Sequence, residues 1–211
     1  KFLLDAGVPI GIALGNPPLT AKQQKDEDYV ANRLHRRLAE MSLFVDSALG
    51  KVDKVAKLLD ELPDLVNVRH PKIGCSPIVV AAITDEAQVA ELLLKRGADP
   101  NAIEPTSGEN TIDRLSGASN GLARGSAVHW AASLGNTAVL KSLIKSGGDV
   151  EAPAVSHQEG LSTATGDRPL HVAALQRNTA VLELLKAHGA RIDGRNMVGE
   201  TPLHSASRAG N

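Results

Sequence analysis

The sequence predicts an all-α fold: a solenoid of helix–turn–helix units joined by hairpin-like loops, with loop insertions and an added N-terminal helix. Three observations carry that expectation. The phrase Gly166-Asp167-Arg168-Pro169-Leu170-His171-Val172-Ala173-Ala174 is echoed by Gly199-Glu200-Thr201-Pro202-Leu203-His204, and Pro169 to Pro202 is 33 residues. Self-similarity at this spacing marks units that cannot bury an apolar face alone and bury it by stacking. The phrase is followed by Val181-Leu182-Glu183-Leu184-Leu185, apolar at helical spacing, and by Gly189, which supplies the left-handed residue that ends a helix. Aromatic residues are scarce, with one Trp, one Tyr and two Phe in 211 residues, which suits thin helices packed through Ala, Leu, Val and Ile.

The elements follow in chain order. Residues 1–7, Lys-Phe-Leu-Leu-Asp-Ala-Gly, read as the tail of a second helix closed by Gly7. Residues 8–42 break the register. Thr20-Ala21-Lys22-Gln23 has the form of a capping box, and Tyr29, Val30, Leu34, Leu38 and Met41 recur at helical spacing, so about 22 inserted residues form an added helix here. Residues 43–70 form a degenerate unit, its first helix Leu43–Leu49 and its second Val52–Leu59, with Asp46 and Ser47 where other units carry paired alanines.

Residues 71–102 are a clear unit, opening with Ser76-Pro77-Ile78 and closing through Gly97-Ala98-Asp99-Pro100-Asn101. Pro costs no hydrogen bond at a first helical turn, and the preceding Ser can cap. Residues 123–152 are the next unit, with Val128-His129-Trp130-Ala131-Ala132. Units 166–194 and 195–211 carry the phrase quoted above. Pro77 to Ala127 is 50 residues and Ala127 to Pro169 is 42, so the excess over 33 falls in loop inserts 103–122 and 153–165. Both are rich in Gly, Ser, Thr, Ala and Asn and lack periodicity, and loops of such length are characteristically functional or disordered. Both ends cut through units, so a longer parent chain is expected.

The sequence resembles the ankyrin repeat pattern Pro-Leu-His-x-Ala-Ala, then Val-Val-x-x-Leu-Leu-x-x-Gly-Ala-Asp-x-Asn, and the resemblance covers most of the chain. It implies a protein-binding scaffold whose contacts concentrate on the hairpin tips and the exposed ends of the first helices, along a concave groove. Matched residue by residue, those slots hold Lys72, Ile73 and Cys75, then Ile83 and Thr84. They hold Ser133 and Leu134, then Leu175 and Gln176, in the next two units, and Arg195, Met197, Val198, Glu200 and Arg208 in the last. Ile83, Leu134, Leu175, Met197 and Val198 would form an apolar stripe, the kind of patch that marks a partner surface unless the inserts cover it.

The resemblance also implies that His129, His171 and His204, which share one motif position, bond loop backbone rather than a metal. Asn101 stands in an Asp-x-Asn context that resembles the one hydroxylated in some ankyrin proteins, but the favoured reading is a structural loop asparagine bonding backbone. Trp130, inside the motif, is placed either near the groove or in the core.

No catalytic set, metal-spaced Cys/His cluster or phosphate loop is present, so no enzyme activity, cofactor or small-molecule substrate is expected. A formal net charge of −1 argues against nucleic acid. No apolar run approaches the length of a membrane span. A single cysteine, Cys75, excludes an internal disulfide and fits an intracellular compartment, cytoplasmic or nuclear. The leading expectation is a scaffold holding a protein or peptide on the groove and loop inserts. Its rivals are a regulatory or substrate-recruiting segment of a larger enzyme or channel, and an intramolecular arrangement in which the 8–42 helix occupies the groove.

Overall fold

The computed structural model describes residues 21–71, 74–103, 125–154 and 166–211, with residues 21–27 described by their backbone alone. The tail at 1–7, most of both loop inserts, and Lys72 and Ile73 lie outside the described residues. The chain divides into two compact units, one ending at Ala39 and the other running from Glu40 to Asn211. The described secondary structure is helical: nine α-helices and one 3-10 turn, with no strand among the described residues.

The first helix, α1 (Ala21–Ala48), differs from expectation. A break near residue 42 was expected, between an added helix and the first helix of the degenerate unit. One uninterrupted helix of 28 residues is observed instead. The physical reason lies in Ala39-Glu40-Met41-Ser42-Leu43, which holds neither Pro nor Gly, so nothing removes a backbone donor or favours a turn. Within the unit ending at Ala39, Tyr29, Val30, Leu34 and Leu38 are exposed.

The larger unit stacks helix pairs. After the last turns of α1 come α2 (Val52–Glu61) and a 3-10 turn (Pro63–Asn67). Then come α3 (Pro77–Thr84) with α4 (Ala87–Lys95), α5 (Ala127–Leu134) with α6 (Thr137–Lys145), and α7 (Pro169–Leu175) with α8 (Thr179–Ala187). The single helix α9 (Pro202–Arg208) ends the series. First helices pack on first helices, α3 on α5, α5 on α7 and α7 on α9, while α4 packs on α6 and α6 on α8.

Paired alanines make that approach close. Ala81, Ala82, Ala131, Ala132, Ala173 and Ala174 are all buried. Leu93, Leu143 and Leu185, one from each second helix, fill the space beside them. In the degenerate unit Asp46 and Ser47 are buried at these slots. The Asp46 carboxylate accepts from the Ser42 hydroxyl at 2.9 Å and faces Lys51 Nζ at 3.7 Å, so its charge is met.

The turn between the helices of each pair needs a left-handed residue. Gly50, Asp85, Gly135, Arg177 and Gly210 occupy the same turn with φ of 66°, 61°, 81°, 60° and 70°. Two of the five are not glycine, and Arg177 is braced there by donating Nη2 to the carbonyl of Gly210 at 2.7 Å.

Candidate functional site

The hairpin tip of the last unit presents the most exposed apolar residues of the predicted surface. Met197 is 72% exposed and Val198 55%. The tip is nevertheless firmly built. Asn196 is buried beneath it, and its side-chain oxygen accepts from the N–H of Val198 at 3.2 Å and of Glu200 at 2.8 Å. Its amide donates to the Asp167 carboxylate at 2.6 Å, which ties the tip to the preceding unit. Arg195 donates to the Gly199 carbonyl at 2.7 Å. Arg208 meets both carboxylate oxygens of Glu200, at 3.2 and 2.9 Å. Met197 lies against Gly166, where a Cβ would come within 2.3 Å of its side chain.

The other predicted contact residues divide. Thr84 is exposed, its hydroxyl donating to the Val80 carbonyl at 3.0 Å. Ile83, Leu134, Leu175 and Gln176 are half-buried at the ends of their helices. Ser133 corrects the expectation. It is 3% exposed, and its carbonyl accepts from the Asn178 amide at 2.8 Å, because α7 packs over the end of α5. Cys75 is likewise buried, its carbonyl closing a loop by accepting from His70 N–H at 2.9 Å. Neither side chain can meet a partner. Lys72 and Ile73 lie outside the described residues.

The motif histidines bond backbone. Nδ1 of His129 accepts from Ser126 N–H at 3.2 Å, so the proton sits on Nε2, which donates to the Ala152 carbonyl at 3.0 Å. His171 does the same between Arg168 N–H and the carbonyl of Glu200, which is 3.0 Å from its Nε2. Burial lowers the pKa of His129 to about 4, against the opposing pull of the Ala152 and Asp167 carbonyls and the Asp149 and Asp167 carboxylates. Among the described residues no group of three His, Cys, Asp or Glu could hold a metal ion. Trp130 is 1% exposed and belongs to the core, not to a groove wall.

Two side-chain ladders hold neighbouring units in register, and the backbone bonding expected of Asn101 is one rung of the first. On one, Asn67 donates to the Gly97 carbonyl and accepts from Asp99 N–H, both at 3.0 Å. Asn101 repeats this with Gly147 and Asp149 at 2.9 and 2.8 Å. At the next rung Glu151 replaces Asn. It accepts from Arg191 N–H at 2.9 Å and pairs with Arg168. On the other ladder Asn136, Asn178 and Asn211 donate to the carbonyls of Ala82, Ser133 and Ala174, each at 2.8 Å. A signal for this second ladder existed: Asn-Thr-Ala-Val-Leu occurs at both 136–140 and 178–182, and Asn136, Asn178 and Asn211 stand 42 and 33 residues apart, at the motif's own offsets.

Comparison with known proteins agrees with this architecture. A family model for ankyrin repeats in three copies matches residues 107–192 and 128–211, and a single ankyrin repeat model matches residues 73–104. The chain is 30% identical over 224 residues to Nuclear factor NF-kappa-B p105 subunit of Gallus gallus, covering 91% of this chain and 20% of that protein. It is 28% identical over 220 residues to Diacylglycerol kinase iota of Homo sapiens, covering 99% and 18%. With Putative palmitoyltransferase ZDHHC13 of Danio rerio it shares 28% identity over 160 residues, covering 75% and 20%. The chain thus spans about a fifth of the length of these relatives. Among the described residues no helix is long and apolar enough to cross a membrane. With helix pairs stacked in register, motif histidines bonded to loop backbone and both repeat models matched, this chain belongs to the ankyrin repeat family.

Proposed function

We propose that this segment is a non-catalytic scaffold that holds a partner protein or peptide on its hairpin tips, the exposed ends of its first helices and its loop inserts. Ankyrin repeats mediate protein–protein interaction. The observation that supports this surface here is the tip at Met197 and Val198: two apolar side chains held out to solvent on a turn that Asn196 braces from below. A rigid apolar projection loses little entropy on binding. Arg195, Glu200 and Arg208 form the polar rim, and Ile83, Thr84, Leu134, Leu175 and Gln176 extend the surface along the array. The partner is a folded protein or an extended peptide rather than nucleic acid or a small molecule. Cys75, buried and the single cysteine of the chain, supports a reducing intracellular setting, cytoplasmic or nuclear. Asn101, exposed on its loop, is the candidate hydroxylation site.

Affinity capture from native lysate, with the intact chain beside a Met197→Asp/Val198→Asp variant, tests the reading. Partners held by the first and lost by the second, at unchanged melting temperature, support it. Identical partners on both baits would remove the tip from the contact surface. A second reading has its own support. Relatives named as a kinase and a putative palmitoyltransferase match over only about a fifth of their length, so the segment would regulate or recruit for chemistry encoded elsewhere in its polypeptide.

A further inference from the structure

One face of helix α1 is buried at Leu43 and Ser47. The opposite face is apolar and open. Val30, Leu34, Leu38, Met41, Val45 and Leu49 lie along it, each 45% to 62% exposed. Leu49 carries the stripe one residue past the helix, its N–H bonded to the Val45 carbonyl at 3.1 Å. The spacing is regular: Val30 and Met41, Leu34 and Val45, and Leu38 and Leu49 each stand 11 residues apart. Eleven residues make three turns of about 3.67 residues, close to the about 3.6 of a straight helix, so the stripe runs along the axis instead of winding off it. Single exposed leucines are ordinary on a protein surface, but an unbroken row of six apolar residues is not.

We infer that this face is a homodimer interface, on which α1 of a second copy of the chain lies antiparallel. Three observations favour that occupant. The first is self-complementarity. A two-fold axis between Leu38 and Met41 sets Leu38 against the partner's Met41, Leu34 against the partner's Val45 and Val30 against the partner's Leu49, so all six residues meet an apolar residue and none is left over. The second is area. At these exposures the six side chains offer roughly 600 Å² per copy, and two copies together about 1,200 Å², the lower bound for a stable specific interface. The third is charge, which also sets the direction. A parallel pair would bring Arg33, Arg36 and Arg37 level with the same three arginines of the partner, and like charges so placed oppose association. The antiparallel pair shifts each arginine along the seam by 5 to 13 residues from its counterpart and sets Asp28 level with the partner's Lys51.

Sedimentation of the chain at about 50 μM and near-physiological salt tests this, and mainly dimer is expected there. Leu38→Glu places a charge in the apolar seam of both copies and should weaken dimerisation at least about tenfold. Leu38 is exposed, so hydrogen exchange in α5 and α7 should stay as in wild type, which separates a lost interface from a lost fold. Cross-linking reads the direction. Leu34→Cys chains mixed with Val45→Cys chains should join through a short bismaleimide at least about tenfold faster than Leu34→Cys chains alone, because the antiparallel seam brings residues 34 and 45 together and holds the two residues 34 apart. A monomer at that concentration would overturn the inference and leave the stripe to a different molecule. A dimer that Leu38→Glu leaves intact would overturn it, and so would faster cross-linking of Leu34→Cys chains to one another than to Val45→Cys chains.

Discussion

The side-chain oxygen of Asn101 accepts a hydrogen bond from the backbone N–H of Asp149 at 2.8 Å, across 48 residues of sequence. The same amide donates to Gly147 O at 2.9 Å, so one side chain spans two loops and carries the stacking register past the first insert. Asn101→Ala breaks both bonds, and a loss of about 1–3 kcal/mol is expected in urea unfolding. Asn101→Asp keeps the acceptor and loses the donor, so its loss should fall between wild type and Ala. Equal stability of all three would show that the ladder contributes nothing.

His129 makes the array sensitive to acid. Its pKa is about 4 in the folded chain, against 6.5 when unperturbed. The unfolded chain therefore binds the proton more readily. Stability from the neutral imidazole is fully present above pH 6.5 and is lost as pH falls through about 4, with a total near 3 kcal/mol. Unfolding free energies measured from pH 7 to pH 4 should fall more steeply for wild type than for His129→Gln. Parallel curves would place the acid sensitivity elsewhere.

Gly135 needs its lack of a side chain on two counts. Its φ is 81°, and a Cβ would sit 3.0 Å from the side-chain oxygen of Asn178. Asn178 is the rung that donates to Ser133 O. Gly135→Ala should cost about 1–2 kcal/mol from the left-handed backbone alone, and more if the rung is displaced. Hydrogen exchange would show the second effect as faster exchange at the ends of α5 and α7.

Trp130 fills the core, but its Nε1–H has no hydrogen-bond partner among the described residues. Trp130→Phe loses volume and also removes a buried unpaired donor, so the two effects oppose each other. The expected loss is below about 1.5 kcal/mol, against about 3–5 kcal/mol for Trp130→Ala. A Phe variant as unstable as the Ala variant would mean that the indole N–H is satisfied in solution.

Much of the architecture was legible in residue type and spacing. Pro77, Pro169 and Pro202 open helices, the paired alanines are buried, and His129 and His171 bond backbone as the family resemblance implied. The surface was less legible. Ser133 and Leu134 are adjacent and were placed together on it, yet Ser133 is buried, because a neighbouring unit covers one side of the helix end and not the other. Continuity of α1 through Ser42 was missed because the repeat register suggested a boundary that no residue there enforces.

By itself, the sequence determined the class of fold and the repeat that builds it. Each pair buries its apolar face only against its neighbours, so a fixed period and a few helix-ending residues specify the stack. Only the tertiary structure decided which side chains bind the units to one another. Asn67, Asn101 and Glu151 reach loops 30 to 48 residues away. Which carbonyl or N–H lies within 3 Å of a side chain depends on how the two backbones are placed by the packing between them, and residue type carries no record of that distance.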